Sequence, residues 1–242
     1  MIAAILEAKR KELRRMGEAV PGRRRKPMYP FVCDGPVSII AELKRRSPSA
    51  GYFGEINPGR VRVYGKYAKA ISVLTDRTYF GGSLELLAEV AEISGLPILC
   101  KDFIIHRRQI DAAYAAGADM VLLIARILGR EGLAALYTHA AGLGLACLVE
   151  VHDAADVAII EDLNPPIVGV NARDLDTLEI DMEAAGRLLA RIEAPVRVAE
   201  SGIRSGKDIK RLGAANAYLV GEALMRSADL EATFEELLHG KG

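Results

Sequence analysis

Eight short apolar runs recur along this chain, at residues 37–43, 71–74, 97–100, 120–125, 146–151, 167–170, 196–199 and 217–220. Each is rich in Val, Ile and Leu and shows little polar alternation, the pattern of strands buried on both faces, as in a parallel sheet. Between them lie longer stretches with helical spacing. Residues 83–92, 131–143, 153–163, 181–192, 205–212 and 229–238 each open on a polar N-cap or an acidic first turn. Gly95, Gly117, Gly144 and Gly213 fall where helices should stop. Strand and helix alternating eight times in 242 residues predict a (β/α)8 TIM barrel. A doubly wound open sheet is the second reading, but no Gly-x-Gly-x-x-Gly turn follows the first run. The chain reads as one domain, 1–242, with an N-terminal helical extension (1–36) and a barrel (37–242).

The apolar runs end in polar residues, and in this architecture chemistry sits at the C-terminal strand ends. Taken in order, those ends carry Glu42 and Lys44, Asp76, Lys101, Arg126, Glu150, Asn171 and Arg173, Glu200, and Gly221-Glu222. One such residue is unremarkable, and Glu42 with Lys44 taken alone reads as a sheet-edge ion pair. Lysines, glutamates and an asparagine converging on one mouth predict a functional pocket, because buried Lys and Glu are rare unless paired. Glu42 and Lys44, two apart, share a face. Lys101 shares one with Leu99 and Phe103, and its neighbour Asp102 points the other way. Apolar walls and a nearby Lys44 predict a lowered pKa for Lys101, which would suit a general acid, with Glu150 as its opposite number. His152 reads as a helix-start or supporting residue. Two loops suit a phosphate, Ser201-Gly202 after the seventh run and Gly221-Glu222 after the eighth.

Ahead of the barrel, Ile2, Ile5, Leu6, Leu13 and Met16 recur at three-to-four spacing as far as about Gly17. They predict an amphipathic helix with Lys9, Arg10, Lys11, Arg14 and Arg15 on its solvated side. Arg23-Arg24-Arg25-Lys26 follows Pro21-Gly22 as a second basic cluster. The two clusters read as a solvated helix face and a solvated loop or, alternatively, as cover for a phosphate-binding mouth. Lys plus Arg equals Asp plus Glu at 32 each, so no global field favours nucleic acid or an anionic membrane. Cys33, Cys100 and Cys147 are widely spaced without a CxxC and fit a reducing compartment; the four histidines lack metal-ligand spacing, so no metal is expected. Charges within the first dozen residues argue against a signal peptide, and no apolar run reaches the roughly 18 residues of a membrane span. A cytoplasmic protein is expected.

Five stretches, 40–49 (IAELKRRSPS), 99–105 (LCKDFII), 148–152 (LVEVH), 170–175 (VNARDL) and 199–203 (AESGI), together resemble indole-3-glycerol-phosphate synthase over essentially the whole chain. The resemblance implies conversion of 1-(2-carboxyphenylamino)-1-deoxyribulose 5-phosphate to indole-3-glycerol phosphate, with loss of carbon dioxide and water and no cofactor. It implies Lys101 as general acid for ring closure and Glu150 as acid/base for dehydration, with Lys44 acting there or holding substrate. Glu42, Asn171 and Glu200 would orient the polar network. Ser47, Ser201, Gly202, Gly221 and the amide of Glu222 would hold the phosphate, with the Glu222 carboxylate turned away. Pro48, Phe80, Phe103 and Leu175 would form an aryl slot, with Arg173 near the substrate carboxylate. A small phosphorylated substrate is the expected partner, the chain being a monomer or associated with other tryptophan-pathway enzymes. Two alternatives on the same barrel are a phosphosugar isomerase and a non-catalytic phosphate-binding barrel. The isomerase would rely on a Cys–Asp pair where this chain has Glu42 and Lys44.

Overall fold

The computed structural model describes residues 1–16 and 24–240. Gly17, Pro21, Gly22 and Arg23, part of the expected helix end and basic cluster, lie outside the described residues.

Eight parallel strands close into a barrel in which each pairs with the next and the last with the first. They are β1 (Ser38–Leu43), β2 (Ala70–Leu74), β3 (Ile98–Lys101), β4 (Met120–Ile124), β5 (Ala146–Val151), β6 (Ile167–Asn171), β7 (Val196–Glu200) and β8 (Ala217–Val220). Every expected run is a strand, to within a residue or so at each end. Burial on both faces explains the missing alternation. Ile39, Ala41, Leu43, Ile71, Val73, Val121 and Leu123 pack outward against helices, while Ile40, Leu99, Met120, Leu122, Leu148, Val198 and Leu219 fill the interior. That alternation aims the strand-end residues. Ile40 leads on its own face to Glu42, Leu99 to Lys101, Leu148 to Glu150 and Val198 to Glu200.

Besides a single helical turn at Arg77–Phe80, the described helices are α1 (Ile2–Arg15), α2 (Pro58–Tyr67), α3 (Leu84–Ile93), α4 (Arg107–Ala116), α5 (Ala125–Gly142), α6 (Ala154–Ile160), α7 (Met182–Leu189), α8 (Gly206–Arg211), α9 (Glu222–Arg226) and α10 (Leu230–His239). Ser83, Asp153, Asp181 and Asp229 cap α3, α6, α7 and α10 through their side chains, as their sequence positions require. α5 starts earlier than its apolar spacing indicates, because one helical turn precedes a break at Gly129 (φ 64°, ψ 176°). Gly117 and Gly144 adopt left-handed backbone after their helices. The loop after β1 folds into a small antiparallel hairpin, pairing Arg46 with Tyr52 and Ser47 with Gly51. No described helix is long and apolar enough to cross a membrane.

Arg10, Lys11, Arg14, Arg15 and Arg25 are exposed as expected, but three basic residues, Lys9, Arg24 and Lys26, depart from expectation. Arg24 and Lys26 are neither solvated nor over the mouth. They reach the opposite, N-terminal end of the barrel and pair with the fully buried Asp119 at 2.6 and 3.2 Å. Asp119 also accepts the backbone N–H groups of Tyr29 and Ile98, so it ties the segment before β1 to the starts of β3 and β4. Lys9, expected on the solvated side of α1, is buried at 1% exposure. Its ammonium lies 2.6 Å from Asp102 and 2.9 Å from Asp76, two carboxylates at the C-terminal end of the barrel strands. A helix packed over the barrel mouth buries part of its polar side as well as its apolar stripe.

Candidate active site

The C-terminal strand ends surround one cavity. Glu42, Lys44, Lys101, Glu150, Asn171 and Glu200 line it from the strands, and Ser47, Pro48, Phe80, Phe103, Arg173, Leu175, Ser201, Gly202, Gly221 and Glu222 from the loops. Its floor is Leu122, Ile124 and Leu219, and Ile5 of α1 closes one side. In the sequence Ile5 shows only as part of the apolar stripe of α1, which marks it for burial but not for the cavity. Arg204 also lines the cavity and carried no sequence signal.

Lys101 sits at the centre of the polar network. Its Nζ lies 2.7 Å from Glu200 Oε2 and 3.5 Å from Glu150 Oε2. Burial opposes its charge, but Glu200, Glu150 and Glu42 outweigh burial and hold its pKa above the ordinary lysine range. The expected lowering is therefore overturned. Three carboxylates from across the barrel, rather than apolar walls and Lys44, decide the sign. Lys44 bonds Glu42 Oε1 at 2.7 Å. Although burial raises the Glu42 pKa, Lys44 and Lys101 hold it below the usual carboxylate value.

Glu150 is buried at 1% exposure and held from three sides. Lys101, His152 and Asn171 together overcome burial and keep it a carboxylate. His152 lies behind it, with Nε2 3.3 Å from Glu150 Oε1 and Nδ1 3.2 Å from Asp156 Oδ2. Burial opposes charge on the imidazole, yet Asp156 and Glu150 push it up to about 9. Arg126, expected at the mouth, turns outward and pairs with Asp156 and Asp153 at 2.8 and 2.6 Å. Glu200 is raised by burial, Lys101 pulls against that, and the adjacent Glu150 adds to the rise. Two buried carboxylates sharing one ammonium do not both ionise freely.

Glycines make the room. A Cβ at Gly169, on the interior face of β6, would overlap the Glu200 carboxylate, and one at Gly221 would overlap Glu42 and lie 2.9 Å from Lys44 Nζ. Gly221 thus gives space to the Glu42–Lys44 pair as well as lining the loop assigned to phosphate. Asn171 accepts from the Ser201 hydroxyl at 2.8 Å and the Arg173 N–H at 3.0 Å, fixing two loops to one strand end. Ser201 and Gly202 both take left-handed backbone, φ 68° and 79°. For Ser this is an uncommon conformation that a surrounding site must hold. The Glu222 carboxylate turns to Arg226 at 3.2 Å. Asp76 does not line the cavity; it caps the short helical turn Arg77–Phe80 beside it. Phe80 and Phe103 face each other across the apolar side, ring centroids 6.3 Å apart. Among the described residues, no group of three or more His, Cys, Asp or Glu side chains is placed to hold a metal ion.

The barrel and its cavity can be set beside known proteins. Among solved structures, a 3-hexulose-6-phosphate synthase superposes with a TM-score of 0.64 at 14% identity, covering 86% of this chain and all of that one. The tryptophan synthase α2β2 complex of Pyrococcus furiosus includes a chain with a TM-score of 0.60 at 19% identity, the match covering 83% of this chain and 97% of that one. Those likenesses show the fold alone. Sequence relatives are far nearer. The indole-3-glycerol phosphate synthase of Bacillus thuringiensis (strain Al Hakam) is 45% identical over 210 residues, 82% of this chain and 81% of its own. That of Staphylococcus haemolyticus (strain JCSC1435) is 44% identical over 200 residues, 81% of this chain and 77% of its own. The family pattern described as indole-3-glycerol phosphate synthase matches residues 24–237. The chain belongs to the indole-3-glycerol phosphate synthase family.

Proposed function

We propose that this cavity performs the family's step of tryptophan biosynthesis, with Lys101, Lys44 and Glu150 moving the protons. The observation that carries the reading is the Lys101 ammonium, buried between Glu200 and Glu150 at 2.7 and 3.5 Å and on the same strand face as Phe103. An aryl ring stacked by Phe80 and Phe103 places its carboxylate-bearing carbon near a ketone held at Lys101. A new carbon–carbon bond forms, the carbonyl π pair moves to oxygen, and Lys101 protonates that oxygen. The ring–carboxylate bond then breaks, its electron pair restores aromaticity, and carbon dioxide leaves.

Dehydration follows. Lys44 gives the new hydroxyl a second proton so that it departs as water, and the Glu150 carboxylate takes the proton from the carbon next to nitrogen. Two protons delivered and one withdrawn leave a net uptake of one from solvent, which matches the loss of a carboxylate as carbon dioxide. Glu42 and Glu200 orient the lysines. Ser47, Ser201, Gly202, Gly221 and the amide of Glu222 receive the phosphate, and Arg173 the substrate carboxylate. The side chains named supply acid, base and anchor, and the apolar walls position the ring and exclude water.

The test adds the carboxyphenylamino-deoxyribulose phosphate in the presence of chelator and follows indole fluorescence. The reading expects a rise in the wild type and a loss of at least about 10³-fold in Lys101→Ala with the fold retained. Near-normal turnover in that variant would refute Lys101 as the acid. Binding without any rise in the wild type would refute the reaction.

A further inference from the structure

We infer that Lys9, on the helix preceding the barrel, is a positioning residue that sets the aryl-binding wall of the site. The inference rests on the proposed reading of Phe80 and Phe103 as that wall. Lys9 lies one turn beyond Ile5, which lines the cavity, and its ammonium is buried at 1% exposure between Asp76 and Asp102. Each aspartate also holds the backbone of one phenylalanine. The second oxygen of Asp76 accepts the N–H groups of Tyr79 and Phe80, at 2.6 and 3.2 Å. Asp102 accepts the N–H of Phe103 at 2.7 Å, through the same oxygen that Lys9 engages, and its other oxygen accepts the Thr75 hydroxyl at 2.8 Å. One ammonium therefore bridges the two loops that present the facing rings. Without it, two buried carboxylates repel each other and the loops lose their common tie.

Stability alone is a poor reason for such a cluster. Replacing buried ion pairs by apolar side chains of similar size is often neutral or stabilising, so charge here is better explained by geometry it enforces. Glu12, half-exposed and 2.9 Å from Lys9, closes the cluster toward solvent.

The test compares two ligands on the full chain: the substrate's 2′-alcohol, which keeps the aryl group and phosphate, and inorganic phosphate, which lacks the ring. Lys9→Met should weaken the alcohol by about tenfold or more and leave phosphate within about twofold, because only the former uses the wall. Circular dichroism at the assay temperature checks that the variant is folded. Asp76→Asn is the second variant, because it keeps an acceptor for the Phe80 N–H but removes the charge that pairs with Lys9. It should show the same selective loss if Lys9→Met does not fold. Unchanged affinity for the alcohol in a folded variant, or equal weakening of both ligands, would overturn the inference. A wild-type chain that fails to bind the alcohol overturns the reading of the site, and this inference with it. Wild-type binding with an unmoved variant overturns the Lys9 assignment alone.

Discussion

Gly169→Ala places one methyl group inside the proposed catalytic network and tests whether Glu200 must stay where it is. Gly169 lies on the interior face of β6, in register with Glu150 on one side and Val198 on the other. Its backbone is ordinary strand, where Ala is favoured over Gly by about 0.5–1 kcal/mol, so any penalty must come from contact. The added Cβ would overlap Glu200 Oε1, lie 3.3 Å from its Cδ and press Leu148 Cδ1 at 3.1 Å. Glu200 Oε1 has to retreat by roughly 1 Å, which strains the 2.7 Å bond that the other carboxylate oxygen, Oε2, makes to Lys101. Overpacking of this kind costs about 1–3 kcal/mol, leaving a net loss of about 0–2.5 kcal/mol in urea unfolding after the backbone gain. If Lys101, the proposed acid, follows its displaced partner by about 1 Å, kcat should fall by about 10²-fold, equivalent to about 2.7 kcal/mol. Indole fluorescence reads the rate. Adding Glu200→Asp to the same chain shortens the carboxylate and should restore stability without restoring the rate. Turnover within about threefold of wild type in Gly169→Ala would refute the idea that Glu200 positions Lys101.

Arg24→Ala leaves Asp119 with Lys26 and backbone donors only, so urea unfolding should show a loss of about 3 kcal/mol. The kcat of the folded variant should stay unchanged, since the cluster lies at the far end of the barrel from the cavity; a rate loss would contradict that separation. His152 should make stability depend on pH. Its folded pKa of about 9 exceeds the unfolded value of 6.5, so its contribution is complete below pH 6.5 and lost as pH rises from there through 9. The wild-type unfolding free energy should fall across that window, and His152→Gln should flatten the fall; an equal slope in both would remove His152 as its source.

The sequence made some of these features legible and hid others for a physical reason. Residues whose role depends on their own strand or the next turn could be read directly. Lys101 and Glu150 end otherwise continuous apolar runs, and the period of two assigns their face without reference to anything distant. Ser83, Asp153, Asp181 and Asp229 cap helices through bonds to residues three or fewer positions away. What stayed hidden depends on partners far along the chain. Lys9 stands among Arg10, Lys11 and other basic residues and reads as solvated, yet Asp76 and Asp102 bury it. Arg24 and Lys26 look like a charged loop until Asp119 meets them. Arg126 continues β4 toward the mouth, but Asp153 and Asp156 on the neighbouring loop and helix draw it outward. The hairpin after β1 has strands of two residues, too short to show any period.

The misread pKa of Lys101 bears most on mechanism. A lowered pKa would have made the proton easy to give, and also easy to lose to solvent before substrate arrives. Glu200, Glu150 and Glu42 do the reverse and bind it firmly. An acid so held is too weak to protonate a neutral ketone in advance. The base it serves in the proposed mechanism is the alkoxide, which gains basicity only as the ring carbon bonds to the carbonyl. Proton transfer is then favourable late in bond formation and unfavourable before it, so the stabilisation falls on the transition state and not on bound substrate. The network is close to charge balance: Lys44, Lys101 and the His152 imidazole, 3.3 Å from Glu150, face three buried glutamates, of which Glu200 is raised by burial and by Glu150. In the proposed mechanism, once Lys101 gives up its proton the same carboxylates favour its prompt return, which resets the acid for the next turnover.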